Sequence, residues 1–409
     1  MAMNHFITEI RIKKVRHLSN INIKLDSRNR QHLMLTGKNG SGKTSLLLSI
    51  QEHFNRNDID NGTIMRMAEY WLQLKMLAER NNVKPPEWGV LNKLMEDYKR
   101  SSDIIISVTQ WQELRNLYKQ GEFIVAYFPA DRKFNVLPAK GVDEIKFEEF
   151  YESSNGPGKL LQKYMVHLKT QQAYARNEGD TDVVEKIQKW FERFTNALRI
   201  LLDDSELMLE YDYKEYDFKI HQKGRKPFGL NQLSDGYSSV IYIVSDLILR
   251  MDHNWFLKGE IGGYDEEGIV LIDELETHLH IELQKKIMPF LTKFFPGIQF
   301  IVTTHSPYIL NSISNAKIYD LERRIELENL SAYSSDSLAE GYFGADEYSD
   351  ELKSKLDRYQ VLKEETELTD DERAERAELR IELKNIPKIL SPEAWNRFEE
   401  IEGGKRGKI

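Results

Sequence analysis

The stretch from Gly37 to Thr44 (GKNGSGKT) constrains the fold more than any other part of the chain. It fits the pattern G-x-x-x-x-G-K-[ST], and it lies between a buried-type strand, His32 to Thr36, and an apolar helix that begins at Lys43. Glycines at these places let the backbone N–H groups point at phosphate oxygens, and the helix N-terminus adds partial positive charge. The sequence therefore predicts the strand–loop–helix unit of an α/β nucleotide-binding core.

Individual side chains of this loop suit the chemistry of a triphosphate. Lys43 can reach the β- and γ-phosphates, and the Thr44 hydroxyl can ligate Mg²⁺. We expect the nucleotide to contact Gly37, Lys38, Asn39, Gly40, Ser41, Gly42, Lys43, Thr44 and Ser45. A chance glycine turn is the alternative, and the flanking strand and helix disfavour it.

A second motif places two carboxylates at the end of an apolar strand. Gly268 to Ile272 is followed by Asp273 and Glu274. Asp273 suits Mg²⁺ contact, either direct or in the outer shell, and Glu274 suits the general base that polarises an attacking water. Because side chains alternate along a strand, only one carboxylate need face the metal. A strand that runs into a polar turn is the alternative.

Two further polar segments follow the same logic. His305 comes after the buried strand that ends near Val302, where it can contact the γ-phosphate or the attacking water, because ligands of open α/β sheets bind at the carboxyl ends of the strands. Ser234 and Gly236 precede a long apolar helix, where they can form a second anion site. A structural histidine and a simple helix cap are the respective alternatives.

Composition excludes several classes of protein. Cysteine is absent, so disulfides, Cys-ligated zinc and thiol nucleophiles are excluded. The net charge is −9, which leaves no overall basic footprint for nucleic acid. No apolar run is long enough to span a bilayer, and the N-terminus has charges where a signal peptide needs its apolar core, so we expect a cytoplasmic protein without a membrane partner.

In their order along the chain, the four motifs resemble the Walker A, signature, Walker B and switch-histidine motifs of ABC-type ATPases. LSDGYSS is similar to the LSGGQ of that family. The opening ITEIRIKKVRHLSNINIKL resembles the start of RecF/SMC/OLD-like ATPases, although Val15 replaces the usual aromatic, and ELETHLH resembles the E-x-H-L-H of that branch. Without zinc-hook cysteines, long coiled-coil arms or an evident nuclease domain, the chain looks like stand-alone anti-phage ATPases such as the Septu, retron-associated and PARIS ATPases.

The resemblance implies a fold and a mechanism. The expected fold class is α/β, an ABC-ATPase head with a mixed or parallel sheet core over residues 1–329, helical insertions at about 62–120 and 155–203, and an acidic helical extension over 330–409 that is a candidate for partner binding. ATP and Mg²⁺ are the implied ligands, with Thr44 and Asp273 at the metal and Glu274 and His305 as catalytic residues. The implied assembly is a homodimer or higher oligomer, in which Ser234 and Gly236 complete the site of the partner.

The function implied is that of an ATP-hydrolysing sensor or regulatory subunit that controls a separate effector, such as an HNH or TOPRIM-like nuclease. A RecF-like DNA-repair ATPase is the alternative, and a transporter subunit fits the motifs least. DNA is a further candidate partner, on the basic clusters Arg11 to Lys14 and Lys223 to Lys226. The first cluster is better explained as one exposed strand face, and the second is explained equally well as a solvated hairpin loop.

One more segment stays open between two interpretations. Phe128 to Arg132 follows a central strand, where a metal- or water-contacting loop belongs in this family. Arg132 can serve a phosphate there, or it can be a solvated arginine on a surface turn.

Overall fold

The largest sheet is built from strands that lie far apart in the sequence. The computed structural model describes residues 5–55, 76, 103–132, 136–142, 145, 151–258, 266–327, 330–335, 337–338, 350–385 and 392–403, and elements are numbered over these ranges. The sheet contains β3 (His32–Thr36), β5 (Ile124–Phe128), β9 (Gly268–Ile272), β10 (Ile298–Thr303), β11 (Ala316–Asp320) and β12 (Ile325–Leu327).

The spatial order of the six strands is β12-β11-β3-β10-β9-β5. All neighbours are parallel except the edge pair of β11 and β12. Every residue of β3, β9 and β10 is buried, as expected for parallel strands covered on both faces. The predicted α/β class with a mixed, mostly parallel sheet is confirmed.

A second, antiparallel sheet packs with the first around the helix that follows the glycine-rich loop. Its strands are β1 (Ile7–Val15), β2 (Leu18–Lys24) and β4 (Ile104–Val108), in the order β2-β1-β4. Apolar and polar residues alternate along β1 and β2, so that one face is buried. One hydrophobic core joins this face to α1 (Lys43–Asn55) and to the strands of the larger sheet.

Strand β4 corrects part of the predicted helical insertion at 62–120. Residues 62–75 and 77–102 lie outside the described residues, and 104–108 form a strand that pairs with β1. The run Ile-Ile-Ile-Ser-Val is β-branched and short, which favours a strand over a helix once a pairing edge is available. Only α2 (Trp111–Lys119) is helical in the last part of that stretch.

The stretch predicted as a helical insertion at about 155–203 contains two long helices, α3 (Leu161–Glu178) and α4 (Thr181–Leu201). Gly179 ends α3 in a left-handed conformation, and the Asp180 side chain accepts the Val183 N–H to cap α4.

A β-hairpin follows, formed by β6 (Met208–Asp212) and β7 (Asp217–His221), with the short strand β8 (Phe228–Gly229) beside it. Next come α5 (Asp235–Lys258), α6 (Ile281–Phe294) and the single turn α7 (Pro307–Leu310). A buried bond between the Trp190 indole N–H and Asp252 joins α4 to α5 over 2.7 Å.

The chain divides into two compact units, Met1–Ala332 and Tyr333–Ile409. The second contains α8 (Asp350–Glu364), α9 (Asp370–Lys384) and α10 (Pro392–Gly403) around a small core that includes Tyr359 and Phe398. Thr369 and Glu372 form a capping box at the start of α9.

Glu402 is the centre of the polar contacts in this second unit. Its carboxylate accepts hydrogen bonds from Arg380, Tyr359 and Lys363. The hydrogen bond from Arg380, first among these causes, lowers the pKa of Glu402 to about 2. In the ranges that the structure describes, no helix is both long and apolar enough for a bilayer crossing.

Candidate nucleotide site

The four parallel strands β3, β10, β9 and β5 end side by side at one edge of the larger sheet. Their neighbouring registers pair Leu35 with Thr303 and Ile272 with both Val302 and Phe128. The segments that follow these strands therefore meet at the carboxyl edge, where open α/β sheets bind their ligands. This topology brings the first three predicted motifs together, although 230 or so residues separate the first from the second along the chain.

The glycine-rich loop between β3 and α1 depends on positive backbone φ angles. Gly37, Gly40 and Gly42 have φ of 127°, 82° and 97°, a region that side chains with a Cβ rarely adopt. At Gly42 there is also no room, because an added Cβ would lie 2.9 Å from Cδ1 of Leu18. The β1–β2 turn thus holds the back of the loop.

Lys43 folds back onto its own loop. It is 6% exposed, and its Nζ donates to the carbonyl oxygens of Gly37 at 2.7 Å and Lys38 at 3.1 Å. Burial lowers the pKa of Lys43, and nearby carboxylates oppose that effect, Glu274 most strongly. The cation and the carboxylates therefore share one site. Thr44 beside it is exposed, and Ser45 is half-buried.

The end of β11 supports the loop from the other side, which the sequence did not predict. The Asp320 carboxylate, 2% exposed, accepts the N–H of Glu322 at 2.8 Å. Glu322 in turn accepts the Lys38 N–H at 3.2 Å and pairs with Lys38 Nζ at 3.1 Å. These bonds to Lys38 lower the pKa of Glu322. The signal in the sequence that could have indicated this support was the acidic pair Asp320 and Glu322, which follows His305 by 15 to 17 residues.

Thr303 connects the two carboxylate positions. Its hydroxyl donates to Asp273 Oδ1 at 2.6 Å and accepts the Glu274 N–H at 2.7 Å. Glu274 has a φ of 44°, a left-handed conformation that costs a non-glycine residue about 1–2 kcal/mol. The buried threonine therefore helps to hold a strained turn. Thr303 lies two residues before the predicted His305, but its role depends on strand pairing that the sequence does not reveal.

His305 lies beside a third acidic residue, Glu276, which the sequence analysis left without a role. Glu276 Oε1 accepts the His305 N–H at 2.5 Å. Among the described residues, Nε2 of His305 and Oε2 of Glu276 are buried without a hydrogen-bond partner. Burial, followed by the charge of Lys43, lowers the pKa of His305, so the ring is neutral at pH 7.

The interpretation of Arg132 as a solvated arginine was wrong. The side chain is only 5% exposed, so it is not a solvated arginine on a surface turn. All five of its N–H groups donate to Ser239 and to main-chain carbonyls of its own chain, so the predicted contact of Arg132 with a phosphate gains no support from the structure.

The start of α5 holds the residues of the predicted second anion site. Ser234 is exposed, as that prediction requires. Gly236 is buried against its own chain, and a Cβ there would lie 2.4 Å from the His278 carbonyl oxygen. Close backbone packing within the chain therefore accounts for this glycine. The predicted contact of Gly236 with a partner's nucleotide gains no support from the structure.

The donor set suits a magnesium ion that is held jointly with phosphates. Over the described residues, no cluster of three or more His, Asp or Glu side chains could hold a metal by itself. Mg²⁺ in nucleotide sites takes one or two protein oxygens together with phosphate oxygens and water. The exposed Thr44 hydroxyl and the Asp273 carboxylate, which Thr303 orients, fit that role.

Comparison with known sequences identifies the family. The profile of the family described as "AAA domain, putative AbiEii toxin, Type IV TA system" matches residues 91–311, more than half of the 409 residues. The chain belongs to this AAA-domain family. The matched range includes Ser234, Asp273, Glu274 and His305, whereas the phosphate loop precedes it.

Individual relatives carry names from two kinds of system. The chain is 24% identical to Septu protein PtuA of Bacillus mycoides (strain KBAB4) over 413 residues, covering 97% of this chain and 53% of that protein. It is 37% identical over 103 residues to the Retron Ec83 probable ATPase of Escherichia coli, covering 25% of this chain and 19% of that protein.

A third relative is the Retron Vc95 probable ATPase of Vibrio cholerae serotype O1 biovar El Tor, 23% identical over 265 residues, which cover 64% of this chain and 48% of that protein. This AAA-domain chain thus spans about half the length, or less, of these curated relatives. The resemblance to Septu and retron-associated ATPases is confirmed.

Among solved structures, an SMC head bound to the C-winged helix domain of ScpA matches with a TM-score of 0.39 and 12% identity, covering 80% of this chain and 95% of that one. The SMC head domain from Thermotoga maritima matches with a TM-score of 0.36 and 12% identity, covering 77% and 94%.

Proposed function

We propose that this chain binds ATP with Mg²⁺ and hydrolyses it, at sites completed by a second copy of the chain. The observation that carries this proposal is the meeting of Lys43, Asp273, Glu274 and His305 at one sheet edge. The charge of Glu274 raises the pKa of both Lys43 and His305 against the effect of burial, and this supports the proposal because charges act in this way only at short range.

The resting geometry suggests how ATP enters. Lys43 Nζ exchanges its two loop carbonyls for phosphate oxygens, which compensates the burial of its charge. The backbone N–H groups of the loop and of the first turn of α1 face the same phosphates. Mg²⁺, held by Thr44 and Asp273, supplies neutralisation of the triphosphate charge.

Glu274 is placed to act on the attacking water. Its backbone is fixed by Thr303, so the carboxylate projects from a rigid turn. The neutral His305 ring, with Nε2 free of protein hydrogen bonds among the described residues, can contact the γ-phosphate or that water. These two residues are the proposed catalytic pair.

The proposal that copies of the chain assemble rests on an exposed polar residue next to a helix N-terminus. Ser234 lies at the exposed start of α5, next to a helix N-terminus that favours anions. In the proposed homodimer or higher oligomer it contacts the γ-phosphate held by the partner. Activity should then depend on protein concentration.

The cellular role is proposed by analogy with the relatives. As a sensor or regulatory subunit of an anti-phage defence complex, the chain would couple its ATP cycle to a separate effector such as a nuclease. The similarity to proteins named Septu PtuA and retron ATPases supports this role. The acidic second unit is the candidate surface for that effector.

Steady-state hydrolysis by the purified chain tests the enzymatic proposal. We expect Mg²⁺-dependent ATPase activity that Glu274→Gln abolishes while ATP binding persists, and ATP binding that Lys43→Ala weakens. Lys189→Ala is the control, because this lysine on α4 has a side chain that is 75% exposed and pairs with Glu185 of the same helix. Wild-type turnover by Glu274→Gln would refute the assignment of the base.

Oligomer state and phage protection test the remaining parts. Native mass measurement should detect an oligomer whose population rises with ATP in Glu274→Gln. Full activity in a strictly monomeric protein would contradict the shared site. In host cells that carry the neighbouring genes, Lys43→Ala should abolish protection against phage. Protection that persists would remove the defence role, and ATP-dependent binding to gapped DNA would favour the repair alternative.

A further inference from the structure

Arg132 is a buried arginine with a complete set of protein partners. It follows β5, and its Nε donates to the Ser239 hydroxyl in the first turns of α5 at 2.8 Å. Its other four N–H groups donate to main-chain carbonyl oxygens, those of Pro129, Asp273, Glu274 and Leu275, at 2.5–3.5 Å. Three consecutive carbonyls of the turn that carries Glu274 therefore converge on one side chain.

No carboxylate is among these partners, so Arg132 is not half of an ion pair within the part of the chain that the structure describes. Burial lowers the pKa of Arg132 to about 10, and the guanidinium still carries its charge at physiological pH. The rigid five-donor fork of arginine fits five acceptors, and a lysine with three donors cannot replace it.

The turn that Arg132 holds is the one whose backbone is strained. Glu274 has its left-handed φ of 44°, and its main chain is bound on two sides. Thr303 on β10 accepts the Glu274 N–H, while Arg132 beside β5 donates to the Glu274 carbonyl oxygen. The direction in which the carboxylate projects follows from these two anchors.

The same side chain reaches α5, the helix that begins directly after the exposed Ser234. Ser239 lies on α5, one turn beyond that serine. A second contact joins the same two segments, because the Gly236 backbone packs directly against the His278 carbonyl. The start of α5 and the turn after β9 are therefore tied at two points, one polar and one by backbone contact.

We propose that Arg132 is a positioning residue, which holds the turn of Glu274 in its active geometry and couples that turn to the start of α5. This inference rests on the proposed ATPase function. In the proposed oligomer, Ser234 at the start of α5 contacts the nucleotide bound by the partner. Through its bonds to α5 and to the turn of Glu274, Arg132 then links the binding of that nucleotide to the position of Glu274.

Two variants test the coupling in the full chain. Ser239→Ala removes only the acceptor on α5, and Arg132→Lys keeps the charge but loses donors. The matched control is Ser245→Ala, since Ser245 is a fully buried serine of the same helix whose hydroxyl has no hydrogen-bond partner among the described residues. Melting temperatures establish that each variant is folded, and Ser239→Ala carries the test if Arg132→Lys is not.

The first readout separates turnover from binding. We expect kcat to fall by about tenfold or more in Ser239→Ala and Arg132→Lys, because small misplacements of a reacting group cost on the order of 100-fold. The Kd for ATP should change by less than about threefold. Loss of ATP binding in parallel with kcat, or an equal loss in Ser245→Ala, would mean a general structural effect and would overturn the inference.

The second readout needs no activity. Amide hydrogen exchange of a peptide that contains residues 273–279 should quicken in Ser239→Ala and not in Ser245→Ala. Unchanged exchange in Ser239→Ala would overturn the coupling whether or not the wild type hydrolyses ATP. Absence of ATPase activity in the wild type, with exchange altered as expected, would instead count against the proposed function alone.

Discussion

Asp252 should make the stability of the larger unit depend on pH in an unusual direction. It lies on α5, is 3% exposed, and accepts the indole N–H of Trp190 at 2.7 Å. Burial raises its pKa from an ordinary 3.8 to about 7, against the smaller opposing effect of the Trp190 bond. The folded chain therefore keeps this carboxyl protonated at pH values where the unfolded chain has already released the proton.

The sign and size of the effect follow from proton linkage. Between about pH 4 and pH 7 the folded state binds more protons than the unfolded state at this position, so the free energy of unfolding falls as the pH rises. A difference of about three pKa units, at about 1.4 kcal/mol each, gives a fall of about 4 kcal/mol across that range. Above about pH 7 this contribution stays constant.

Urea unfolding of Asp252→Asn and wild type, followed by circular dichroism from about pH 4 to pH 8, measures this contribution. Asparagine can still accept the Trp190 N–H but does not titrate. We expect the free energy of unfolding of the variant to increase relative to that of the wild type as the pH rises, by up to about 4 kcal/mol at neutral pH. Asp182→Asn, on α4 with its side chain 73% exposed, is the control. Parallel curves for Asp252→Asn and wild type would refute the reasoning.

Three further variants test other contacts. Thr303→Val should lower the free energy of unfolding by about 2–4 kcal/mol, because both hydrogen bonds of its hydroxyl are buried, and should slow ATP turnover; Thr303→Ser should restore both. Gly156→Ala should lower the melting temperature, since its Cβ would lie 1.7 Å from Asp246 Oδ1, whereas Gly141→Ala, in open space, should not. Glu402→Gln should destabilise the second unit at pH 7, and the difference in urea unfolding should disappear as the pH falls toward 2.

The sequence predicted the sheet best where its strands are fully buried. The apolar runs that end at Thr36, Ile272 and Thr303 have too many large apolar residues in succession for a surface segment, and each is a strand of the parallel sheet. Strands β4 and β11 were not predicted. Each is short, and its strand state depends on pairing with β1 or β3, which no local pattern reveals.

For the candidate site, the sequence could indicate residues that match a motif but not those that support them. Lys43 and Glu274 are visible from spacing, and their roles stay predictions. Thr303 and Arg132 act through hydrogen bonds to segments 29 to 143 positions away in the chain, so only the folded topology brings their partners together. The same limit explains why a solvated surface position was a possible interpretation of Arg132.

The packing of Gly236 bears on how such motifs are used to classify other chains. Any side chain at this position would collide with the His278 carbonyl, so glycine is required here by the architecture of a single subunit. A related protein that no longer binds nucleotide, but in which the start of α5 still packs against the turn after β9, would still need this glycine. The exposed Ser234 is not constrained by such packing. It is therefore the more informative residue of the motif when family members are sorted into active and inactive ATPases.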